Sequence, residues 1–265
     1  MSNTALGWVN NVATATLYAG SANAALPASN LQVDQGAASM AWQTAAGVVT
    51  SAAGATLGIQ VSGTWQAFVL ARTNLTTSAT MRWRVSTGIL SIASPNYDSG
   101  TISAGVVAGY GQSVLVIGTP RTCGYCQVDI DDPTNPDGFI NIPLMYAGPL
   151  FIPAVGPDWS SSFGRDDATD EVTTRGGQEY PVYHWQRRRY EAAWQGIKGS
   201  EVWPSFMEFD RTARQGGNVL FIPDITSATI SQEAVLGRAH MTKDVGYPAK
   251  SADARSIALR ITERL

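Results

Sequence analysis

Charge is spread so unevenly along this chain that it limits the fold before any motif is considered. Of 265 residues, the first 120 carry only five charged side chains: Asp34, Arg72, Arg82, Arg84 and Asp98. The other 34 charges, 15 basic and 19 acidic, lie in residues 121–265. A surface helix needs a broad polar face opposite its apolar stripe, and no amphipathic helix of useful length can be drawn before residue 155. The neutral half is instead rich in Ala, Ser, Thr and Gly, a composition suited to strands and loops. A break of this kind marks a domain boundary.

Alternation supplies the strands. Met81-Arg82-Trp83-Arg84-Val85 places Met81, Trp83 and Val85 on one face and both arginines on the other. Thr64–Ala71 (TWQAFVLA) is apolar at both parities, which predicts a central strand covered on two sides. Ser113–Ile117, Gln127–Ile130 and Phe139–Leu144 add short apolar runs between Gly, Pro and Asn turns. The Ala-rich stretch 44–58 is interrupted by Gly47, Gly54 and Gly58 and reads as strand and loop. Residues 121–153 read as a hairpin-like pair around a rigid Pro/Gly turn. Residues 1–155 are therefore expected to form a β-sandwich of jelly-roll type. Residues 156–180 (GPDWSSSFGRDDATDEVTTRGGQEY) read as a polar connector. Residues 181–265 are expected to form a smaller β-barrel-like domain with one helix. That helix runs from Ser200 to Gln215, stops at Gly216-Gly217, and puts Trp203, Phe206, Met207 and Asp210 on one face. The fold class is mainly β.

Composition excludes several functions. A net charge of −3 gives no electrostatic footprint for nucleic acid. Two cysteines cannot build a disulfide framework. No run of 18 apolar residues predicts a membrane span. The opening MSNTALGWVNN has neither a basic n-region nor an apolar h-region, so no secretory signal is expected.

The residues that could carry chemistry each have a plainer reading. Cys123 and Cys126 form a CxxC without a second ligand pair. On a strand their side chains point to opposite faces, so they read as small buried apolar residues. Asp129, Asp131, Asp132 and Asp137 make an oxygen-rich loop that a hard cation could use. The spacing is not that of an EF-hand, and turn chemistry accounts for the acids. Arg187-Arg188-Arg189 alternates sides on a strand, which points to pairing with the acidic connector or a neighbouring subunit. Tyr183 and Trp185 are expected on one face. No nucleophile elbow, phosphate loop or zinc-protease motif occurs, so no cofactor is expected.

Several stretches together carry a resemblance. They are Leu26-Pro27-Ala28-Ser29-Asn30-Leu31 with Trp42 downstream, Tyr97-Asp98-Ser99-Gly100, Val128-Asp129-Ile130-Asp131-Asp132-Pro133, Asn135-Pro136-Asp137-Gly138-Phe139-Ile140 and Ala147-Gly148-Pro149. They resemble structural proteins of tailed bacteriophages, in which a jelly roll similar to galactose-binding, discoidin-like domains precedes other tail modules. The closing residues 259–265 (LRITERL) look like the last strand of small tail-tube or distal-tail modules.

The resemblance implies a non-enzymatic component of a tail tip or baseplate, made in the host cytoplasm and residing in the virion. Its C-terminal domain would assemble with copies of itself and other tail proteins, and its jelly roll would face outward, toward host surface glycans. The other class of function is a carbohydrate-binding module, for which Tyr97, Tyr110 and Trp159 are the candidate exposed aromatics, with Arg187 and Arg189 as ligand or interface candidates. A hydrolase built on the Asp129–Asp137 carboxylates is the third.

Overall fold

The computed structural model describes residues 3–107, 110–173, 175–246 and 254–264, so Leu265 of the closing motif lies outside it. In chain order the strands are β1 (Ala5–Gly7), β2 (Thr16–Ala19), β3 (Trp42–Gln43), β4 (Thr56–Ala71), β5 (Thr80–Ser86), β6 (Tyr97–Asp98), β7 (Ile102–Ser103), β8 (Ser113–Asp131), β9 (Asn141–Ile142) and β10 (Leu144–Gly148). They continue with β11 (Ser162–Thr173), β12 (Glu179–Lys198), β13 (Val219–Ile222), β14 (Val235–Gly246) and β15 (Ala254–Glu263). One sheet runs β10-β4-β8-β5-β6, with β2 also on β4 and β7 also on β5. A second runs β1-β13-β14-β15-β12-β11, and β3 pairs with β9. The protein is mainly β with sandwich-like packing.

Side-chain parity builds three apolar layers. Met81, Trp83 and Val85 enter the sandwich core with Phe68, Leu70, Val128 and Ile130. Their neighbours Arg82 and Arg84 turn outward to Asp98 and Asp129. The opposite parity of β4 and β10, Ala67, Val69, Leu144 and Tyr146, forms a second layer with Leu220, Ile222 and Leu236 of the other sheet. The remaining parity of β13, Val219 and Phe221, packs with Trp194, Leu259 and Phe206 in a third. The two-faced apolar run in β4 is thus explained by a sheet stacked on its outer side.

Several expectations change. Strand β1, within the expected 1–155 sandwich, pairs with β13 through Ala5↔Ile222 and Leu6↔Phe221. The stretch 156–180 contains β11, which pairs with β12 from Ser162↔Glu191 to Thr173↔Glu179. The second sheet stays open, with β1 and β11 as its edges, so the barrel-like closure does not form. Strands β8 and β10 flank β4 on either side and do not make a hairpin with each other.

The helical segment begins at α1 (Gly199–Glu201) and ends with α2 (Met207–Arg214), joined by a π-helical turn over Val202–Phe206. That wide turn contains Pro204, which has no N–H to give, and it rotates the inward face. Val202, Phe206, Phe209 and Ala213 are buried, while Trp203 and Met207 are exposed. Asp210 is buried beside Phe209 and pairs with Arg214 at 2.6 Å.

Cys123 and Cys126 enter the same core. The β4–β8 register slips between Gln60/Gly63, and that irregularity reverses the alternation expected for an uninterrupted strand. Both thiols are free and buried. Burial pushes both pKa values up, Cys126 most, which opposes thiolate chemistry.

Candidate ligand-binding cleft

N-terminal to Arg189, β12 pairs with β11 alone among the described residues. The two strands form a ribbon that leans over the sandwich. Between ribbon and sandwich lies a cleft of about 570 Å³ lined by residues 72–77, Val106, Val107, Tyr110, Gly111, Tyr183, Gln186–Arg188 and Glu263. A space of this size suits a small ligand.

The sandwich side of the cleft is fixed in place. Thr73 donates through its amide (2.7 Å) and its hydroxyl (2.9 Å) to the Gly111 carbonyl. Gly111 has φ +54°, and a Cβ there would stand 2.1 Å from the Thr73 carbonyl oxygen, so glycine is required. Asn74 donates to Asp137 (2.9 Å) and to the Phe139 carbonyl (2.8 Å), and accepts from the Asn141 amide (2.7 Å). Thr76 donates its amide to Asp132 at 2.9 Å. Arg72 sits at φ +61°, the only non-glycine with positive φ among the described residues. Strain of this kind persists where the surroundings hold it, often at functional sites. Among the described residues its exposed guanidinium reaches only the carbonyls of Gly36 and Arg264, each at 3.5 Å.

The ribbon side is organised by Arg188, whose side chain is 2% exposed. It donates to Glu263 at 2.6 and 3.1 Å, to the Gln112 side-chain oxygen at 2.7 Å and to the Gln232 carbonyl at 3.2 Å. Gln112 in turn donates to the carbonyls of Gln232 and Ala234. One arginine thereby joins the ribbon, the sandwich and the last strand. The expectation that the whole Arg187–Arg189 run pairs with the acidic connector or a neighbouring subunit therefore does not hold for Arg188, which strand alternation turns to the other face, onto Glu263 and Gln112.

The candidate residues fall in different places. Tyr110 is in the cleft, but the guanidinium groups of Arg188 and Arg165 lie 4.9 and 5.1 Å from its ring centroid, so it serves as their ledge. Tyr183, 63% exposed, is the open aromatic. A bulge at Ala168/Thr169 sets Tyr183 and Trp185 on opposite faces of the ribbon, against expectation. Arg187 and Arg189 both pair with Asp166, at 3.5 and 2.6 Å, on the face away from Arg188. The acidic stretch is therefore their partner. Tyr97 packs on the sandwich core, and its burial raises its pKa. Trp159 is 95% exposed on a turn remote in sequence from the cleft residues.

The four acids expected on one loop are divided, Asp129 and Asp131 within β8 and Asp132 and Asp137 in the turns after it, and each has its own partners. Asp129 takes Arg84 (2.6 Å), Asp131 takes the amide and hydroxyl of Ser51 (2.8 and 2.9 Å), Asp132 takes Thr76 and Asn135, and Asp137 takes Asn74. Among the described residues no three His, Cys, Asp or Glu side chains gather in a metal-binding group.

No protein-family model matches the chain, and no curated protein matches its sequence. Among solved structures it is similar to the family 32 carbohydrate-binding module of NanJ from C. perfringens, in complex with galactose: 10% identity over 54% of this chain and 98% of that one, TM-score 0.39. It is also similar to a fucolectin from the serum of striped bass, Morone saxatilis (9% identity, 95% and 92% covered, TM-score 0.38). A chain in the virion of a native gene transfer agent particle matches more distantly (14% identity, 42% and 83% covered, TM-score 0.28). At these identities and scores the likeness does not extend to function.

Proposed function

We propose that this protein is a non-catalytic carbohydrate-binding protein whose site is the cleft between residues 72–77 and the ribbon. The observation that carries this reading is the combination in one place of an exposed aromatic, Tyr183, with a rigid loop bearing the strained Arg72. A sugar offers C–H faces for an aromatic ring and hydroxyls for fixed donors, and a preformed loop lowers the entropy lost on binding. The loop acids hold that segment in shape and take no part in catalysis. Screening the purified protein on a broad glycan array, followed by titration, tests it. Tyr183→Ala is expected to weaken the best ligand at least tenfold, and an array without a single hit would sink the reading.

A second reading, a structural subunit of a phage tail tip or baseplate residing in the virion, is supported by the ribbon. Among the described residues, 179–188 of β12 pair only with β11, and Tyr180, Val182 and Trp185 are exposed there. Open strand edges with apolar side chains invite pairing with another chain. This reading expects self-association through the ribbon and recovery of the protein in purified tails. A monomer at high concentration, missing from the particles, counts against it. The two readings are compatible, since an outward jelly roll can bind host glycans.

A further inference from the structure

We infer that the ligand of the cleft is an acidic sugar, its carboxylate received by Arg72; this rests on the carbohydrate reading above. The inference follows from how charge is arranged around the cleft. Arg72 is exposed and makes no ion pair among the described residues, its contacts being two carbonyls at 3.5 Å. In a half of the chain with five charged residues, the other two arginines, Arg82 and Arg84, each hold an aspartate. The carboxylate that lines the cleft, Glu263, is already held by Arg188 at 2.6 Å. Asp132 and Asp137, just behind the loop, accept from Thr76 and Asn74. Arg165 reaches Gln186 in the opposite side of the cleft at 3.0 Å and has no carboxylate partner among the described residues. Of the three arginines that line the cleft, Arg187 is held by Asp166 and Arg188 by Glu263, so Arg72 is the one without a carboxylate partner among the described residues. A guanidinium offers paired donors that match a carboxylate in geometry as well as charge. A neutral sugar would leave that capacity unused, and the backbone strain at Arg72 would hold the group in place for nothing.

The test uses the full chain and matched pairs of oligosaccharides that differ only at C6: galactose against galacturonic acid, glucose against glucuronic acid, and mannose against mannuronic acid. Titration calorimetry at low and at raised salt reads each pair. The acidic member of at least one pair is expected to bind tenfold or more tighter than its neutral partner, with the advantage shrinking as salt screens the contact. Arg72→Gly relieves the positive φ, so its melting temperature should hold or rise while the acid preference disappears; Arg72→Gln should also abolish the preference. If neutral members bind as tightly as acidic ones, or the preference survives both variants, the inference is overturned and the carbohydrate reading stands. If no member of any pair binds and the array is also blank, both fall together.

Discussion

The two sheets are held together by two joints of opposite chemistry. One is the apolar layer of Val69, Leu144, Tyr146, Leu220, Ile222 and Leu236. The other is the polar knot of Arg188, Glu263, Gln112 and Gln232. Apolar contact is proportional to area and tolerant of direction. It holds the sheets face to face but cannot alone fix the ribbon's angle. The knot is the reverse. Desolvating a guanidinium and a carboxylate is costly, and their attraction repays this only in one geometry. The first joint supplies adhesion, and the second supplies the orientation on which the cleft depends.

Separate substitutions should pull these roles apart. Arg188→Ala leaves the buried Gln112 and the partly buried Glu263 without their partner, and a loss of about 3 kcal/mol is expected in denaturant unfolding. Hydrogen exchange should rise first in β11 and β12. If exchange instead rises evenly in both sheets, the knot is not specific to the ribbon. Leu220→Ala opens a cavity in the apolar layer and should cost about 3 kcal/mol, with both sheets loosened and ligand affinity changed less than by Arg188→Ala. Tyr146→Phe is a finer cut within the same layer. It removes the bond from the Tyr146 hydroxyl to the Pro149 carbonyl, 2.6 Å, and should cost about 1 kcal/mol in thermal unfolding.

The smallest effect belongs to an exposed ion pair that sets the scale for the buried one. Asp98 is bonded to Arg82 at 2.9 Å, and that contact lowers its carboxyl from 3.8 to about 2. Because the folded value is depressed, the contribution is complete above pH 3.8 and is lost as pH falls through about 2. Asp98→Asn should therefore flatten the stability curve only between those values, and weakly, since water screens the pair. A shift near neutral pH would contradict the assignment.

What the sequence could reveal followed the range of the interactions. The alternation of Met81, Trp83 and Val85 is local, and it was readable. So was the fate of Arg187 and Arg189, because the acids they needed are concentrated in residues 166–171. The apolar layer was visible as one half, a β4 strand apolar on both faces, without its partner. The knot was invisible, because Gln112, Arg188 and Glu263 lie far apart in the chain and only tertiary pairing brings them together. Two irregularities also escaped: the slips near Gly63 and at Ala168/Thr169 each reversed a parity that a smooth strand would have kept. The cleft was therefore half legible, through Tyr110 and Arg187. Tyr183, Arg72 and Arg188, which shape it, depend on a bulge, a strained dihedral and a long-range contact.

Strand β1 also bears on the order in which the molecule can be made. The Thr4 hydroxyl bonds to the Pro223 carbonyl at 3.0 Å across 219 residues. The sandwich core draws only on residues from Val12 to Ala147, so it can close while the remainder is still being synthesised. Strand β1, which until then has only its bridge from Leu6 to Phe151, waits for β13, and through that interval the outer face of β4 stands bare with Ala67 and Val69 uncovered. Vectorial synthesis thus divides folding into an early event and a late one, and the late event covers the apolar face that the early one leaves open.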